Sequence, residues 1–190
     1  MLGEYAFSRA VVRDILDHAS VREWSIQGFG MMRTYIGPDA RYRLNIWHKD
    51  LSVPNVSRIH THPWDFTSYI IAGTMGNQRY SEGAGTPYQV LTLTPGPSGG
   101  PLPGSRGTTK LYEKVIEHYY EGDVYSQRAD EIHATLFADG SVTINDRIRH
   151  GADEARSFWG EGDWVDAKPR PATPEEIEKY VGAALSRMSH

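Results

Sequence analysis

The sequence contains no cysteine, and this absence excludes several kinds of site. A disulfide framework, a thiolate metal ligand and a cysteine nucleophile all require that residue. Any metal ion bound by this chain must therefore be held through nitrogen and oxygen atoms. The sequence also lacks a glycine-rich phosphate loop and a Gly-x-Ser-x-Gly nucleophile elbow. These absences argue against a P-loop nucleotide-binding protein and against an α/β-hydrolase.

The chain has no basic excess and no long apolar run. Its 20 Lys and Arg residues stand against 24 Asp and Glu residues, giving a net charge of -4, so we expect no nucleic-acid partner. No apolar segment approaches the roughly 20 residues that span a bilayer, so we expect no membrane span. The first residues, Met1 to Tyr5, lack the charged start and apolar core of a secretory signal, which predicts a cytoplasmic protein.

Length and composition predict one globular domain over residues 1–190. The 190 residues are 39% hydrophobic and 23% charged, which is ordinary for a globular protein with a single core. Eight or nine short segments of strand character, with closely spaced turns, occupy about residues 28–148. The Asp139-Gly140 pair is a strong hairpin signal between the last two. This pattern predicts an all-β sandwich or closed barrel.

Two helices are expected to flank the strands. Ser8 is a candidate N-cap for the first helix, whose apolar stripe is predicted to contain Val11, Val12, Ile15, Leu16 and Ala19. A capping box is predicted at Thr173, with Pro174 and Glu176, at the start of a second helix in the tail 151–190. Aromatic residues of that tail, including Phe158 and Trp164, are expected to anchor it to the sheet.

The segment after Gly73 is predicted to contain several breaks. Residues 74–77 are interpreted as a hairpin turn, followed by separate strands at 78–81 and 88–94. Residues 95–107 contain five Gly and four Pro, a composition that predicts a loop. Such a long loop is a candidate lid over a pocket or a surface excursion.

Two histidines separated by one residue, His60 and His62, are the strongest functional signal. In an extended strand such a pair projects to one side and can share one ion. Imidazole is a common ligand of first-row metals, and a site needs at least a third ligand. His133, in a later strand that follows Gly122-Asp123, is the candidate for that position.

These residues resemble the two sequence motifs of the cupin superfamily. His60, His62 and Gly73 match the first motif, and Gly122 with His133 matches the second, over roughly residues 41–148. The resemblance implies a cupin-like double-stranded β-helix, which is a jelly-roll barrel, with one N-terminal and one C-terminal helix. It also implies a homodimer, since cupins often pair through their sheet edges.

The chain departs from the family pattern at the usual metal-binding glutamate. Phe66 or Thr67 stands there, so the site is completed either by three histidines, which we favour, or by Asp65. Cupins with three histidine ligands are typically ferrous dioxygenases. The resemblance therefore implies a divalent metal ion, Fe(II) first and Zn, Ni, Mn or Cu as alternatives, and oxidation of a small polar substrate.

Asp65 and Tyr125 are the candidate catalytic residues. A non-redox isomerase or lyase is the alternative, with Asp65, Glu131 or a tyrosine moving a proton, and a non-catalytic ligand-binding protein is a third reading. His48 is an alternative metal ligand, although we favour a hydrogen-bonded or exposed histidine at a strand end for this residue. Further polar and aromatic candidates near the site are Trp64, Tyr119, Tyr120 and Arg128. Arg41 and Arg43 can hold a carboxylate, although we favour surface charge for both.

Overall fold

The computed structural model describes residues 7–54, 56–95, 101–148, 154–160 and 169–189, which form two antiparallel sheets and two helices. The helices are α1 (Arg9–Asp17) and α2 (Pro174–Arg187). In chain order the strands of these residues are β1 (Ser25–Gln27), β2 (Phe29–Ile36), β3 (Tyr42–Ser52), β4 (Ile59–His60), β5 (Asp65–Ala72), β6 (Thr74–Pro95), β7 (Pro101–Tyr120), β8 (Val124–Gln127), β9 (His133–Phe137), β10 (Ser141–Ile148), β11 (Ala155–Trp159) and β12 (Arg170–Pro171).

Sheet A has the strand order β12-β1-β2-β3-β10-β5-β8, and sheet B has the order β11-β4-β9-β6-β7. The chain passes directly from sheet A to sheet B at Gly73, between β5 and β6. The prediction of a mostly β protein with one helix before the strands and one after them is confirmed. Within the described ranges, no helix is both long enough and apolar enough to cross a bilayer.

Both helices begin at the predicted caps. The Ser8 hydroxyl accepts a hydrogen bond from Val11 N, and Thr173 forms a capping box with Glu176. Val11 is 43% exposed, so its predicted place on the apolar stripe is wrong. Consecutive residues of a helix are rotated by about 100° about its axis, so Val11 points away from the core when Val12 points into it.

The largest apolar core lies between these helices and the outer face of sheet A. It is formed by side chains of α1, α2 and the central strands of the sheet, chiefly Val12, Leu16, Trp24, Met32, Leu44, Ile46, Val142, Ile144, Val181 and Ala184. The helices therefore cover one face of sheet A, and its other face is left to sheet B.

The space between the two sheets contains both polar and apolar side chains. Asn77 of sheet B donates a hydrogen bond to Gln127 of sheet A at 3.0 Å, and Trp47 of sheet A packs on Phe137 of sheet B at 5.3 Å between ring centroids. Buried polar side chains on the facing surfaces are Arg43, Asn45, Ser68, Asn77, Gln127, His133, Thr143 and Asn145. An interior with this many polar groups is suited to a ligand site, because packing alone favours apolar side chains.

Two sequence predictions in the middle of the chain are wrong. The predicted turn at 74–77 and the strands at 78–81 and 88–94 form one strand, β6, which pairs along its length with β7. Of the predicted loop at 95–107, residues 101–107 belong to β7, while 96–100 lie outside the described residues. β7 is the edge strand of sheet B, and edge strands are where a sheet accepts proline, because alternate N–H groups there have no partner strand.

The tail prediction is confirmed at Phe158, which lies in β11 and is fully buried. Its ring packs with Leu111 and Ile132 in a separate apolar cluster of sheet B. Trp164, the other predicted anchor, lies outside the described residues.

Candidate metal centre

Three neighbouring segments bring the predicted histidines together. His60 in β4 lies directly opposite His133 in the antiparallel strand β9. His62 follows in extended chain, because Thr61 N donates to Arg156 O at 2.8 Å and His62 N donates to Ala129 O at 3.1 Å. The alternation expected for a His-x-His pair thus places both rings beside His133.

The three rings form a compact group. One ligand atom from each histidine lies within 4.8 Å of the others. Within the described part of the chain, no other group of three or more His, Asp or Glu side chains comes as close together. His62 Nε2 and His133 Nε2 are 2.9 Å apart. Two nitrogens bound to one ion at about 2.1 Å lie roughly 3.0–3.4 Å apart. The His62 and His133 nitrogens are close to that spacing, and His60 has to move inward to join them.

Hydrogen bonds fix the orientation of two of the rings. His133 Nδ1 lies 2.8 Å from Asn77 Oδ1, an atom that can only accept, so Nδ1 carries the proton. Asn77 Nδ2 donates to Gln127 Oε1, and Gln127 Nε2 donates to Glu131 O at 3.2 Å. His60 Nδ1 donates to Arg58 O at 2.9 Å. Both rings therefore present an unprotonated Nε2, which is the form that binds a metal ion.

Burial keeps the three imidazoles neutral. Desolvation lowers the pKa of His60 to about 4 and lowers the pKa values of His62 and His133 well below their usual range. Neighbouring positive groups add to this effect, among them Arg43 for all three rings. At pH 7 the group therefore offers lone pairs and does not need to lose protons before binding a cation.

These lowered pKa values predict an acid-sensitive metal-free protein. Below pH 6.5 the unfolded chain protonates histidines that the folded chain keeps neutral, so the free energy of unfolding falls as the pH drops toward about 4. For the partly exposed His60 ring the loss is about 1–3 kcal/mol. Urea unfolding of chelator-treated protein between pH 7.5 and 4.5 measures it. His60→Phe should reduce the slope, and equal slopes would contradict the assignment.

Asp65 lies outside the three-histidine group. Its Oδ1 accepts a hydrogen bond from Ala129 N at 2.7 Å, and Ala129 O in turn accepts from His62 N. The carboxylate therefore holds the backbone that positions His62. Its predicted catalytic role remains a prediction.

Tyr125 lies beside the group and is separated from His62 by one ring. Its ring stacks on Tyr119 at 4.4 Å and meets Phe66 edge-on at 6.2 Å, and Phe66 lies 4.9 Å from the His62 ring. Burial raises the pKa of Tyr125, although a hydrogen bond with the Ser68 side chain opposes the shift. The phenol therefore stays protonated at neutral pH, as a hydrogen-bond donor must.

Arg43 is the site residue that sequence reasoning undervalued. The surface position predicted for both Arg41 and Arg43 is confirmed only for Arg41, whose exposed guanidinium binds Asp146 at 2.7 Å. Arg43 is 6% exposed, and its Nε has no hydrogen-bond partner among the described residues. Arg41 has helical backbone angles and precedes β3, so the strand alternation that turns Arg43 inward does not extend to it.

Asn77 was missed altogether, because its segment was interpreted as a turn. The sequence signal for it is its place two residues after the apolar Met75, which puts both side chains on one face if the segment is a strand. Of the other candidates, His48 packs on Tyr180 of α2 at 5.1 Å, and Glu131 accepts from Arg128 N at 2.8 Å.

Of the remaining aromatic and basic candidates, one lies near the three-histidine group and two are exposed. The Trp64 ring lies 6.0 Å from the His62 ring, whereas Tyr120 is 60% exposed. Arg128 is exposed and pairs with Asp130.

Comparisons with known proteins leave the family open. No protein-family model matches the chain, and no curated protein matches it. One solved structure that matches is described as the crystal structure of Drosophila melanogaster CENP-C bound to CAL1. The match covers 73% of this chain and 95% of that chain at 11% identity, and its TM-score of 0.28 is too low to assign a fold.

Proposed function

We propose that this chain is a metal-dependent oxygenase with a cupin-like jelly-roll barrel, and that it uses a mononuclear non-haem ferrous ion to oxidise a small polar molecule with dioxygen. The observation that carries the proposal is the convergence of three neutral imidazoles, His60 and His62 from one segment and His133 from a strand distant in sequence. The donor set suits a divalent first-row ion.

The protein's own groups fit the holding of such an ion. His60, His62 and His133 would ligate it, and Asn77 and the Arg58 carbonyl would keep two of the rings in the binding tautomer. Ferrous iron, when bound, supplies positions at which a substrate and dioxygen meet. Three neutral ligands leave the full charge of the ion in place, which favours an anionic substrate.

Arg43 and Tyr125 are the residues that would orient a substrate next to the histidines. Small-thiol dioxygenases are among the cupins with three histidine ligands, and the cupin resemblance implies for them one arginine and one tyrosine near the metal. Arg43 is buried with an unsatisfied Nε, and the protonated Tyr125 can donate a hydrogen bond. A guanidinium in this position would bind a carboxylate through two parallel hydrogen bonds.

The carboxylates bear on the choice between oxidation and acid-base chemistry. An isomerase or lyase needs a group free to move a proton. Asp65 and Glu131 each accept a hydrogen bond from a backbone N–H, and Glu131 also pairs with Arg79 at 2.9 Å. These bonds favour the oxygenase over the non-redox alternative.

The test is metal analysis and gas binding on protein purified without chelators. We expect close to one iron per chain and, under anaerobic conditions, a ferrous nitric-oxide complex visible by electron paramagnetic resonance, since nitric oxide needs an open iron position. Oxygen uptake with a panel of small thiols and diketones then identifies turnover. Bound zinc or nickel without oxygen uptake would favour the non-redox alternative, and a chain without metal would support a binding protein.

A further inference from the structure

Three arginines of sheet A lie on the face that is turned toward sheet B. Tyr35 of β2 and Asn145 of β10 are the direct partners of Arg43 in β3. Arg33 and Arg147 lie two residues away from these partners along their strands, so strand alternation places all three guanidiniums on one face. The Tyr35 ring contacts both outer arginines, at 5.5 Å from Arg33 and 4.9 Å from Arg147.

Neutral groups contact the two outer arginines. Arg33 donates to Ser25 Oγ and Gln27 Oε1, and Arg147 lies over the rings of Tyr35 and Trp64. Among the described residues, no carboxylate forms an ion pair with Arg33 or Arg43. Burial, and then repulsion from Arg33, lowers the pKa of Arg43 to about 10. A buried guanidinium without a counter-charge is costly, which points to an anion as the missing partner.

The arginine group adjoins the candidate metal centre. Trp64 connects the two groups, since its ring lies 6.0 Å from the His62 ring and 5.2 Å from the Arg147 guanidinium. The histidine group and the arginine group therefore lie on either side of one side chain.

We propose that the space between the sheets binds a small molecule with two anionic groups, one directed to the metal ion and the other, a phosphate or a second carboxylate, to Arg33, Arg43 and Arg147. One guanidinium suffices for a single carboxylate, whereas three fit an oxyanion with several acceptor atoms or a double charge. The proposal names the substrate class of the proposed oxygenase and rests on it for the metal-bound end only.

The arginine end is tested on the full-length, chelator-treated chain by calorimetric titration with inorganic phosphate. We expect binding that weakens at least tenfold in Arg43→Met. The matched control is Arg41→Met, which removes the neighbouring exposed arginine and should bind phosphate like the wild type. Absence of phosphate binding to the wild type, or equal binding by Arg43→Met, would overturn the proposal.

Thermal unfolding separates a ligand-binding role from a structural one. Because Arg43 is buried without a counter-charge, Arg43→Met should raise the ligand-free Tm by about 2–4 °C while phosphate binding weakens at least tenfold. A fall in Tm would mean that Arg43 stabilises the fold and would count against the proposal. Arg43→Lys, which keeps the charge without the planar fork, should retain weakened binding and covers the case in which Arg43→Met misfolds.

The two-group requirement is tested on metal-loaded protein with malonate, succinate and acetate. We expect at least one dicarboxylate to bind more than tenfold tighter than acetate, and this advantage should disappear in Arg43→Met. Equal affinities for all three would refute the second anionic group. Phosphate binding by a chain that takes up no metal would support the arginine site and count against the oxygenase. Failure of the arginine site can therefore be distinguished from failure of the proposed oxygenase.

Discussion

Replacing His133 by alanine should lower the affinity for a divalent metal by more than about 100-fold, because the change removes a ligand and not merely one of the outer-shell partners whose loss costs 10–100-fold. His133 is 2% exposed, faces His62 Nε2 at 2.9 Å and is held by Asn77. Metal content after purification and titration with zinc or ferrous ion under anaerobic conditions measures the loss.

His48→Ala is the matched control for that variant. His48 is also a strand histidine, but it packs on Tyr180 under α2 and lies outside the three-histidine group. The control should bind metal with full stoichiometry. Full occupancy in the His133 variant, or an equal loss in both variants, would refute the proposed centre and the oxygenase with it.

Gly73→Ala should destabilise the protein by about 2–5 kcal/mol, of which about 1–2 comes from left-handed backbone and the rest from displaced buried hydrogen bonds. Gly73 has φ +81° where the chain crosses from sheet A to sheet B. A β-carbon there would lie 2.4 Å from Ser141 Oγ. That hydroxyl accepts from Thr74 N at 3.1 Å and donates to Thr74 O at 3.0 Å.

Gly122→Ala separates the two contributions. Gly122 also has a left-handed φ, +88°, but a β-carbon there meets no atom within 4 Å. This variant should lose only about 1–2 kcal/mol. Urea unfolding of both variants at one pH gives the difference, and equal losses would mean that the contact with Ser141 relaxes without cost.

Much of the local structure could be predicted from neighbouring residues. The caps at Ser8 and Thr173 depend on side chains within three positions of the helix start. The extended His60-Thr61-His62 segment follows from strand alternation in the same way. Such patterns are legible because their partners are close in sequence. A turn forms at Asp139-Gly140, but the hairpin predicted there is wrong, because the turn joins β9 of sheet B to β10 of sheet A and these two strands do not pair.

The wrong and missing predictions concern residues whose partners are distant in the sequence. The merging of residues 74–95 into one strand requires pairing with β7, and the inward position of Arg43 requires the strand to begin after Arg41. Asn77 acquired its role only when β6 and β9 were placed side by side in register. No local propensity encodes these relations, since each depends on a partner strand distant in the chain.

For this protein, the sequence by itself determined the mostly β class, the two capped helices and a His-x-His pair able to face one side. The sequence also proposed His133 as the third member of the group, and the structure confirmed it, but only the tertiary structure decided that Asn77 orients the group and that Arg43 lies buried beside it. The physical reason is that side-chain alternation and helix capping act between near neighbours, whereas the site depends on the register of antiparallel strands, which distant pairings fix.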